Sequence, residues 1–326
     1  MNNTGQPEHP LISVVIPCYN EAEVFPELCR ELEALAAKLA ERYRLELIFI
    51  DDGSRDATWS AIAAYAARNK SVRGVSLSRN FGHQKALTCG YDLARGDAVV
   101  SLDADLQDPP EVVLDLVRKW EEGADIVYAV RADRAGETAF KLWTASAFYH
   151  LFQKLGDANA PSESGDFRLM SRRSVEAFRR LKEKHRYLRG MVGWLGFRTA
   201  TVTYHRRPRQ AGQTKYPFYR MFALATDAII SFSSFPLRLS FVFASAGLAL
   251  VFGYLLYTLI KHLFFGGVLL QGWTSLILTT TIFGSLILIS LGIIGEYIGR
   301  IYEQVKDRPL YLIREIIEEP EEPNTT

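Results

Sequence analysis

Val99-Val100-Ser101-Leu102-Asp103-Ala104-Asp105-Leu106-Gln107-Asp108-Pro109-Pro110 is an apolar run that ends in two carboxylates spaced i, i+2, then an amide and two prolines. The run reads as a buried strand. Asp108 and the prolines stop it and pre-set φ for a following helix. Ligands of an open α/β sheet bind beyond the carboxyl ends of its strands, so chemistry would sit here. Extended geometry puts Asp103 and Asp105 on one side of the backbone. Both can then reach a hard cation such as Mg2+ or Mn2+, which takes oxygen ligands and bridges substrate phosphates. A solvated acidic turn uses the same residues, so the flanking sequence must decide between the two.

Upstream, Leu11 to Pro17 reads as a strand that runs into Cys18-Tyr19-Asn20-Glu21, and Phe25, Leu28, Leu32, Leu35 and Leu39 then recur at helical spacing. Leu45 to Ile50 is a second buried strand closed by Asp51-Asp52-Gly53-Ser54. Asp56 or Thr58 can cap the next helix, which carries Trp59, Ile62 and Tyr65. Val72 to Leu77 is the third strand, ending in Ser78-Arg79-Asn80-Phe81-Gly82, and a helix from Gln84 to Ala94 leads into the opening stretch. Downstream come a helix from Pro110 to Trp120 and a strand from Ile126 to Val130, followed by Arg131. This alternation predicts an α/β fold with a largely parallel sheet and helices on both faces. Parallel strands would line up Tyr19-Asn20-Glu21, Asp51-Asp52, Asp103/Asp105 and Arg131 along one rim. No Gly-x-Gly-x-x-Gly follows the first strand and there is no Walker lysine loop, so neither phosphate-binding fingerprint is present.

Gly136 to Gly156 reads as an aromatic-rich helical insertion, either core or the wall of a substrate site. Ser164 to Met170 is a turn into a strand, with a helix from Ser174; its Asp166 can cap, form a salt bridge or serve the site. Tyr204 to Lys215 is basic and glycine-containing. Such a loop can fold over an anion, and it can equally lie against anionic lipid.

A net charge of +1 over 326 residues provides no global field for nucleic acid. Cys18, Cys29 and Cys89 have neither paired nor metal-ligand spacing and read as buried small hydrophobes in a reducing compartment. Residues 1–10 read as a disordered polar lead, without the basic-then-apolar pattern of a secretory signal. Beyond Arg238 the chain turns apolar. Residues 216–236 suit an amphipathic helix lying in a membrane interface. Leu239 to Ile260 and Trp273 to Gly295 supply about 22 and 23 uncharged residues, each enough to span a bilayer, which makes residues 237–300 a transmembrane hairpin. Arg206, Arg207, Arg209, Lys215, Arg220 and Arg238 precede it, Arg300, Lys306, Arg308 and Arg314 follow it, and only Lys261 and His262 occupy the connection. The positive-inside rule therefore places both termini, and the domain formed by residues 11–215, in the cytoplasm. In the tail, residues 301–326, the acidic run of Glu315, Glu318, Glu319, Glu321 and Glu322 reads as a disordered, solvated end.

With Pro17-x-Tyr19-Asn20-Glu21, Asp51-Asp52-Gly53-Ser54, Asp103-x-Asp105-x-Gln107 and Arg209-x-x-Gly212-x-Thr214-Lys215 in this order, the chain resembles the inverting family 2 glycosyltransferases. More narrowly it resembles the polyprenyl-phosphate glycosyltransferases, relatives of the dolichol-phosphate mannose synthases. The spans followed by Gly295-Glu296-Tyr297-Ile298-Gly299-Arg300 and Arg308-Pro309-Leu310-Tyr311 are similar to the bacterial GtrB-type subgroup. The resemblance runs from Ile12 to about Ile313, and it implies a GT-A catalytic domain that moves glucose from UDP-glucose to undecaprenyl phosphate at the inner membrane. The absence of Gln-x-x-Arg-Trp argues for transfer of a single sugar.

Carried over to this sequence, the resemblance implies that Pro17, Tyr19 and Glu21 border the nucleotide and that Ile50 and Asp52 hold the base, Asp52 accepting from a uracil N–H. Asp103 and Ala104 would contact ribose and diphosphate, and Asp105 and Gln107, helped by Asp103, would hold Mg2+ or Mn2+. Arg131 would lie near the acceptor phosphate, while Arg209 and Lys215 clamp phosphates from the basic loop. Lys141 falls where relatives carry a basic residue. Asp166 matches an acidic position of the GtrB-type subgroup, where many mannose synthases have Ser-Gly-Phe, and its role stays open. The expected partners are a UDP-sugar, a polyprenyl phosphate, the membrane and further copies of the chain, with no nucleic acid. The same motifs fit a mannose or amino-arabinose donor, and a non-catalytic scaffold that binds nucleotide sugars.

Overall fold

The computed structural model describes residues 9–132, 164–207, 235–265 and 272–318. Contacts divide the chain into two compact units, Met1–Met221 with Pro309–Thr326, and Phe222–Arg308. The expected insertion at 136–156 with Lys141, the loop residues Arg209 and Lys215, and the interfacial helix up to residue 234 lie outside the described residues.

The first unit begins with the alternation read from the sequence: β1 (Leu11–Cys18), α1 (Phe25–Leu39), β2 (Arg44–Asp51), α2 (Thr58–Ala66), β3 (Val72–Leu77), α3 (His83–Leu93), β4 (Ala98–Ser101) and, after a 3-10 turn at Pro110–Val112, α4 (Val113–Glu121) and β5 (Ile126–Arg131). Then follow β6 (Ser164–Ser171), α5 (Arg172–Arg179), α6 (Leu188–Trp194), β7 (Thr199–Tyr204) and, after the hairpin, β8 (Ile313–Ile317). All eight strands form one sheet in the order β7-β5-β6-β4-β1-β2-β3-β8. β1 pairs in parallel with β2 and β4, as β2 does with β3 and β5 with β7. β6 and β8 run antiparallel to their neighbours.

Parallel strands covered on both faces read as near-continuous apolar runs. In keeping with this, Ile12, Val14, Val15, Ile16, Ile48, Phe49, Ile50, Val99 and Val100 are all fully buried. The i, i+3, i+4 stripe of α1 (Phe25, Leu28, Leu32, Leu35, Leu39) joins Val113, Leu116 and Val117 of α4 over one face of the sheet. This packing fixes the carboxyl ends of β1, β2, β4 and β5 along one edge, as expected.

The tail departs from expectation. Its residues 313–317 are not a disordered end but strand β8, with Glu318 in ion pairs to Arg73 (2.8 Å) and Arg95 (3.3 Å) and the Tyr311 hydroxyl donating to Asp92 (2.8 Å). The reason is the open edge of β3, whose backbone groups need partners. Leu312-Ile313 and Ile316-Ile317 supply a short apolar, β-branched segment that meets that need, and the acidic composition around it masks the signal.

In the second unit, α7 (Phe235–Phe265) and α8 (Trp273–Val305) are longer than the expected spans 239–260 and 273–295. Their apolar windows, Ser240–Lys261 and Thr279–Val305, are each long enough to cross a membrane. They carry exposed Phe241, Leu248, Phe252, Phe264, Leu288 and Ile298, as lipid-facing helices do and soluble core helices do not. Gly247 lets the two helices approach: a Cβ there would sit 2.9 Å from the Phe283 ring.

Candidate active site

Two turns at the carboxyl ends of β1 and β2 are laced together. The Asn20 N–H donates to Ser54 Oγ (3.0 Å), the Arg55 N–H to Asn20 Oδ1 (2.8 Å), and the Glu21 N–H to Thr58 Oγ1 (2.8 Å). These bonds hold Asn20 at φ +56°, a left-handed conformation that asparagine tolerates better than most residues. Tyr19 stays 42% exposed on the rim. Pro17, Ile50 and Ala104 are buried, so a nucleotide resting here would meet mainly their backbone.

Asp52 is 3% exposed, and its two carboxylate oxygens accept from the backbone N–H groups of Phe81 (2.7 Å) and Gly82 (2.9 Å). It therefore fixes the β3–α3 turn as well as facing the β1 turn, whose Cys18 carbonyl accepts its own N–H (2.9 Å). Burial raises the carboxyl's pKa more than the two N–H bonds lower it.

Gly53 makes the close approach of these turns possible, at φ +68° and with Arg79 C and Asn80 N only 2.5 Å from where a Cβ would be. Gly53→Ala is expected to cost about 2–3 kcal/mol in thermal or denaturant unfolding. An unchanged melting temperature would show that the turn shifts freely.

Past β4, the chain bends sharply through Leu106, which is at φ +56° with its side chain buried. The bend leaves Asp103 and Asp105 on the rim, with the Gln107 N–H donating to Asp105 Oδ1 (3.2 Å). Asp108 is 1% exposed and accepts from the Tyr204 hydroxyl (2.5 Å). Arg206 lies 3.4 Å from the same oxygen, and Arg131 Nε donates to Tyr204 Oη (3.4 Å). Gly165 borders Arg131 closely: a Cβ there would stand 3.4 Å from Nη2. The Arg207 N–H donates to the Gln107 carbonyl (2.9 Å), and its guanidinium pairs with Glu31 (2.5 Å) and Glu111 (3.3 Å). Arg207 thus ties the start of the basic segment, just past β7, to the carboxylate turn.

Asp166, on β6, is the hub of the second half of the site. Its carboxylate receives Arg168 (2.6 Å), Gln84 Nε2 (3.1 Å), His83 Nε2 (3.4 Å) and Arg189 Nε (3.5 Å). Burial alone would raise its pKa, yet the His83 hydrogen bond and the Arg168 and Arg189 charges hold it well below the usual carboxylate range. His83 Nε2 also lies 3.6 Å from Asp103 Oδ1, which joins the two carboxylate groups. Burial pushes Asp103 up to about 6, and the nearby charges of Asp166, Asp108 and Asp105 add to the rise.

This donor chemistry fits a hard divalent cation. Asp103, Asp105 and Gln107 offer oxygen ligands, and the crowding of carboxylates favours added positive charge. Among the described residues no group of three or more His, Cys, Asp or Glu forms a cage.

Residues 13–179 match the family model described as Glycosyl transferase family 2. The chain belongs to that family. It is 44% identical over 309 residues to the uncharacterized glycosyltransferase YkcC of Bacillus subtilis (strain 168), covering 94% of each chain. It is 41% identical over 306 residues to the SfII prophage-derived bactoprenol glucosyl transferase of Shigella flexneri, covering 93% of this chain and 97% of that one. The crystal structure of mannosyl-3-phosphoglycerate synthase from Rubrobacter xylanophilus aligns with a TM-score of 0.49 at 18% identity, over 68% of this chain and 73% of that one. As a family 2 member the protein is a glycosyltransferase, and its mostly parallel sheet is the GT-A catalytic fold.

Within this glycosyltransferase the structure adds side chains that the sequence reading passed over. His83 and Gln84 follow the β3–α3 turn directly, and Arg168 lies two residues from Asp166 on the same strand, so both carried a local signal. Arg189 and Tyr204 reach the site only through tertiary packing of α6 and β7.

Proposed function

We propose that the protein transfers a single glucosyl group from UDP-glucose to undecaprenyl phosphate, with inversion, at the cytoplasmic face of a bacterial inner membrane. The observation that carries this reading is the 41% identity, over nearly the full length, to a bactoprenol glucosyl transferase. The chemistry at the rim agrees with it.

A departing UDP gathers negative charge on its phosphates, and a cation held by Asp103, Asp105 and Gln107 would supply the Lewis acidity that stabilises it. The β1 and β2 turns, with Tyr19, Glu21 and Asp52, border the nucleotide. The nucleophile is a phosphate oxygen. A phosphate monoester has a second pKa of about 6, so it arrives largely ionised and needs positioning more than deprotonation. Arg131, held by Tyr204, serves that purpose. Asp166 stays ionised and fixes Gln84, His83 and Arg189 around the space between the two substrates. α7 and α8 keep the protein where the acceptor's tail resides, with both termini cytoplasmic.

The test is a donor panel offered to the purified protein in vesicles containing undecaprenyl phosphate. Glucosyl lipid is expected from UDP-glucose, and far less product from GDP-mannose or a UDP-amino-arabinose donor. Preferred use of another donor would change the sugar. Nucleotide binding with no product from any donor would make the protein a scaffold.

The basic loop has its own test. As a phosphate clamp, Lys215 and Arg209 each supply a charge-assisted hydrogen bond worth about 1.5–3 kcal/mol, or roughly ten- to a hundredfold in rate. As a lipid-attracting patch they add about 1 kcal/mol each to adhesion, which an anchored hairpin scarcely needs. Lys215→Ala and Arg209→Ala should lower kcat/KM at least tenfold, and Lys306→Ala, outside the motif, should change it little. Equal behaviour of all three would favour the patch.

A further inference from the structure

We propose that Arg314, on the strand that follows the membrane hairpin, is a positioning residue for the donor nucleotide. The proposal rests on the reading of the β1 and β2 turns as the nucleotide site. β8 pairs with β3 in antiparallel register, Gly74 opposite Ile317 and Ser76 opposite Glu315, but Leu77 stands opposite Ile313. Arg314 is therefore the extra residue of a bulge. Bulges occur at sheet edges and re-aim side chains there.

Here the bulge brings Arg314 Nη2 to Ser76 Oγ, to which it donates (2.7 Å). The buried Ser76 hydroxyl donates in turn to Asp51 Oδ2 (3.1 Å). Asp51, fully buried, accepts the Ser54 N–H on its other oxygen (3.0 Å), and Ser54 Oγ accepts the Asn20 N–H (3.0 Å). A path of hydrogen bonds, passing through the residue frame of Ser54, thus runs from the tail to both nucleotide turns and ends at the left-handed Asn20. Ser76 and Asp51 are buried at the centre of this chain, where links polarise one another, so a cation at its outer end strengthens them. The charge at its outer end comes from the segment that emerges from the membrane hairpin, which ties donor binding to a correctly returned tail.

The test uses the full-length protein in detergent, with calorimetric titration of UDP in Mg2+ and steady-state kinetics beside it. Arg314→Gln should raise the UDP Kd and the donor KM about tenfold, with kcat and the acceptor KM within twofold of wild type. Ser76→Ala, with its melting temperature measured beside it, should do the same. The double variant should be no worse than either single one, since both break one chain. Arg314→Lys should recover most of the loss. Glu318→Gln weakens the ion pairs that dock β8 and should lower the melting temperature without moving the Kd. Wild-type affinity in both Arg314→Gln and Ser76→Ala, or an equal loss in Glu318→Gln, overturns the proposal alone. A wild-type protein that binds no UDP overturns the donor reading, and the proposal with it.

Discussion

Asp105→Asn is expected to lower glucosyl transfer about a thousandfold, roughly 4 kcal/mol of lost transition-state stabilisation. The fold should be spared. Asparagine keeps an oxygen to accept the Gln107 N–H that Asp105 now binds at 3.2 Å, and partly exposed substitutions of this kind stay within about 1 kcal/mol. On the proposed reading, what is lost is one of the two carboxylates that would balance a divalent ion against the diphosphate. Chelation with EDTA should therefore silence the wild-type protein, and excess Mg2+ or Mn2+ should restore it. Asp103→Asn should behave similarly, with an added effect on His83, 3.6 Å away. Full turnover in excess chelator would remove the metal from the account.

Asp166→Ala is expected to fail twice, in stability and in turnover. Arg168 is fully buried, its Nη1 has no hydrogen-bond partner among the described residues, and Asp166 is its ion-pair partner at 2.6 Å. Removing one member of a buried pair strands the other, at a cost of about 3–5 kcal/mol. Gln84, His83 and Arg189 lose their common anchor as well. Because the folded pKa of Asp166 is depressed, its contribution to stability is fully present above about pH 4, the unfolded value, and is lost as pH falls further. Urea unfolding from pH 7 to pH 3 should show a smaller loss in the variant than in the wild type, since Asp56 and Asp125, also held below the usual carboxylate range, keep their share. A carboxylate held so firmly ionised is also a weak base, which supports an orienting role. Unfolding free energies that match the wild type at pH 7 would contradict the hub.

The order of the strands and the position of the rim were legible because each parallel strand is a short apolar run stopped by a polar turn. Val99 to Asp105 shows this most plainly. Asp103 and Asp105 could be singled out as carboxylates just past an apolar run, but the extended geometry expected for them does not hold: β4 stops at Ser101, and the turn that follows, not strand alternation, sets them on the rim. Tyr204 and Arg189 could not, because their partners Asp108 and Asp166 lie 96 and 23 positions away in the chain, brought near only by packing. β8 was hidden for a different reason. Its five residues carry little propensity of their own, and the open edge of β3 gives them their conformation. Asp52 reads as a ligand contact in sequence, yet in the fold both of its oxygens first hold the Phe81–Gly82 turn.

In the proposed reaction the lipid phosphate attacks the sugar directly across this rim, in one displacement. A double displacement would require a protein nucleophile first, and Asp166 is tied to Arg168, Gln84 and His83. The most direct measurement is the anomeric configuration of the product made from UDP-α-glucose and undecaprenyl phosphate in vesicles, read from the proton and phosphorus couplings at the anomeric carbon. The β-linked glucosyl phosphate lipid is the expected product. An α-linked product, or free glucose with no lipid product, would contradict it.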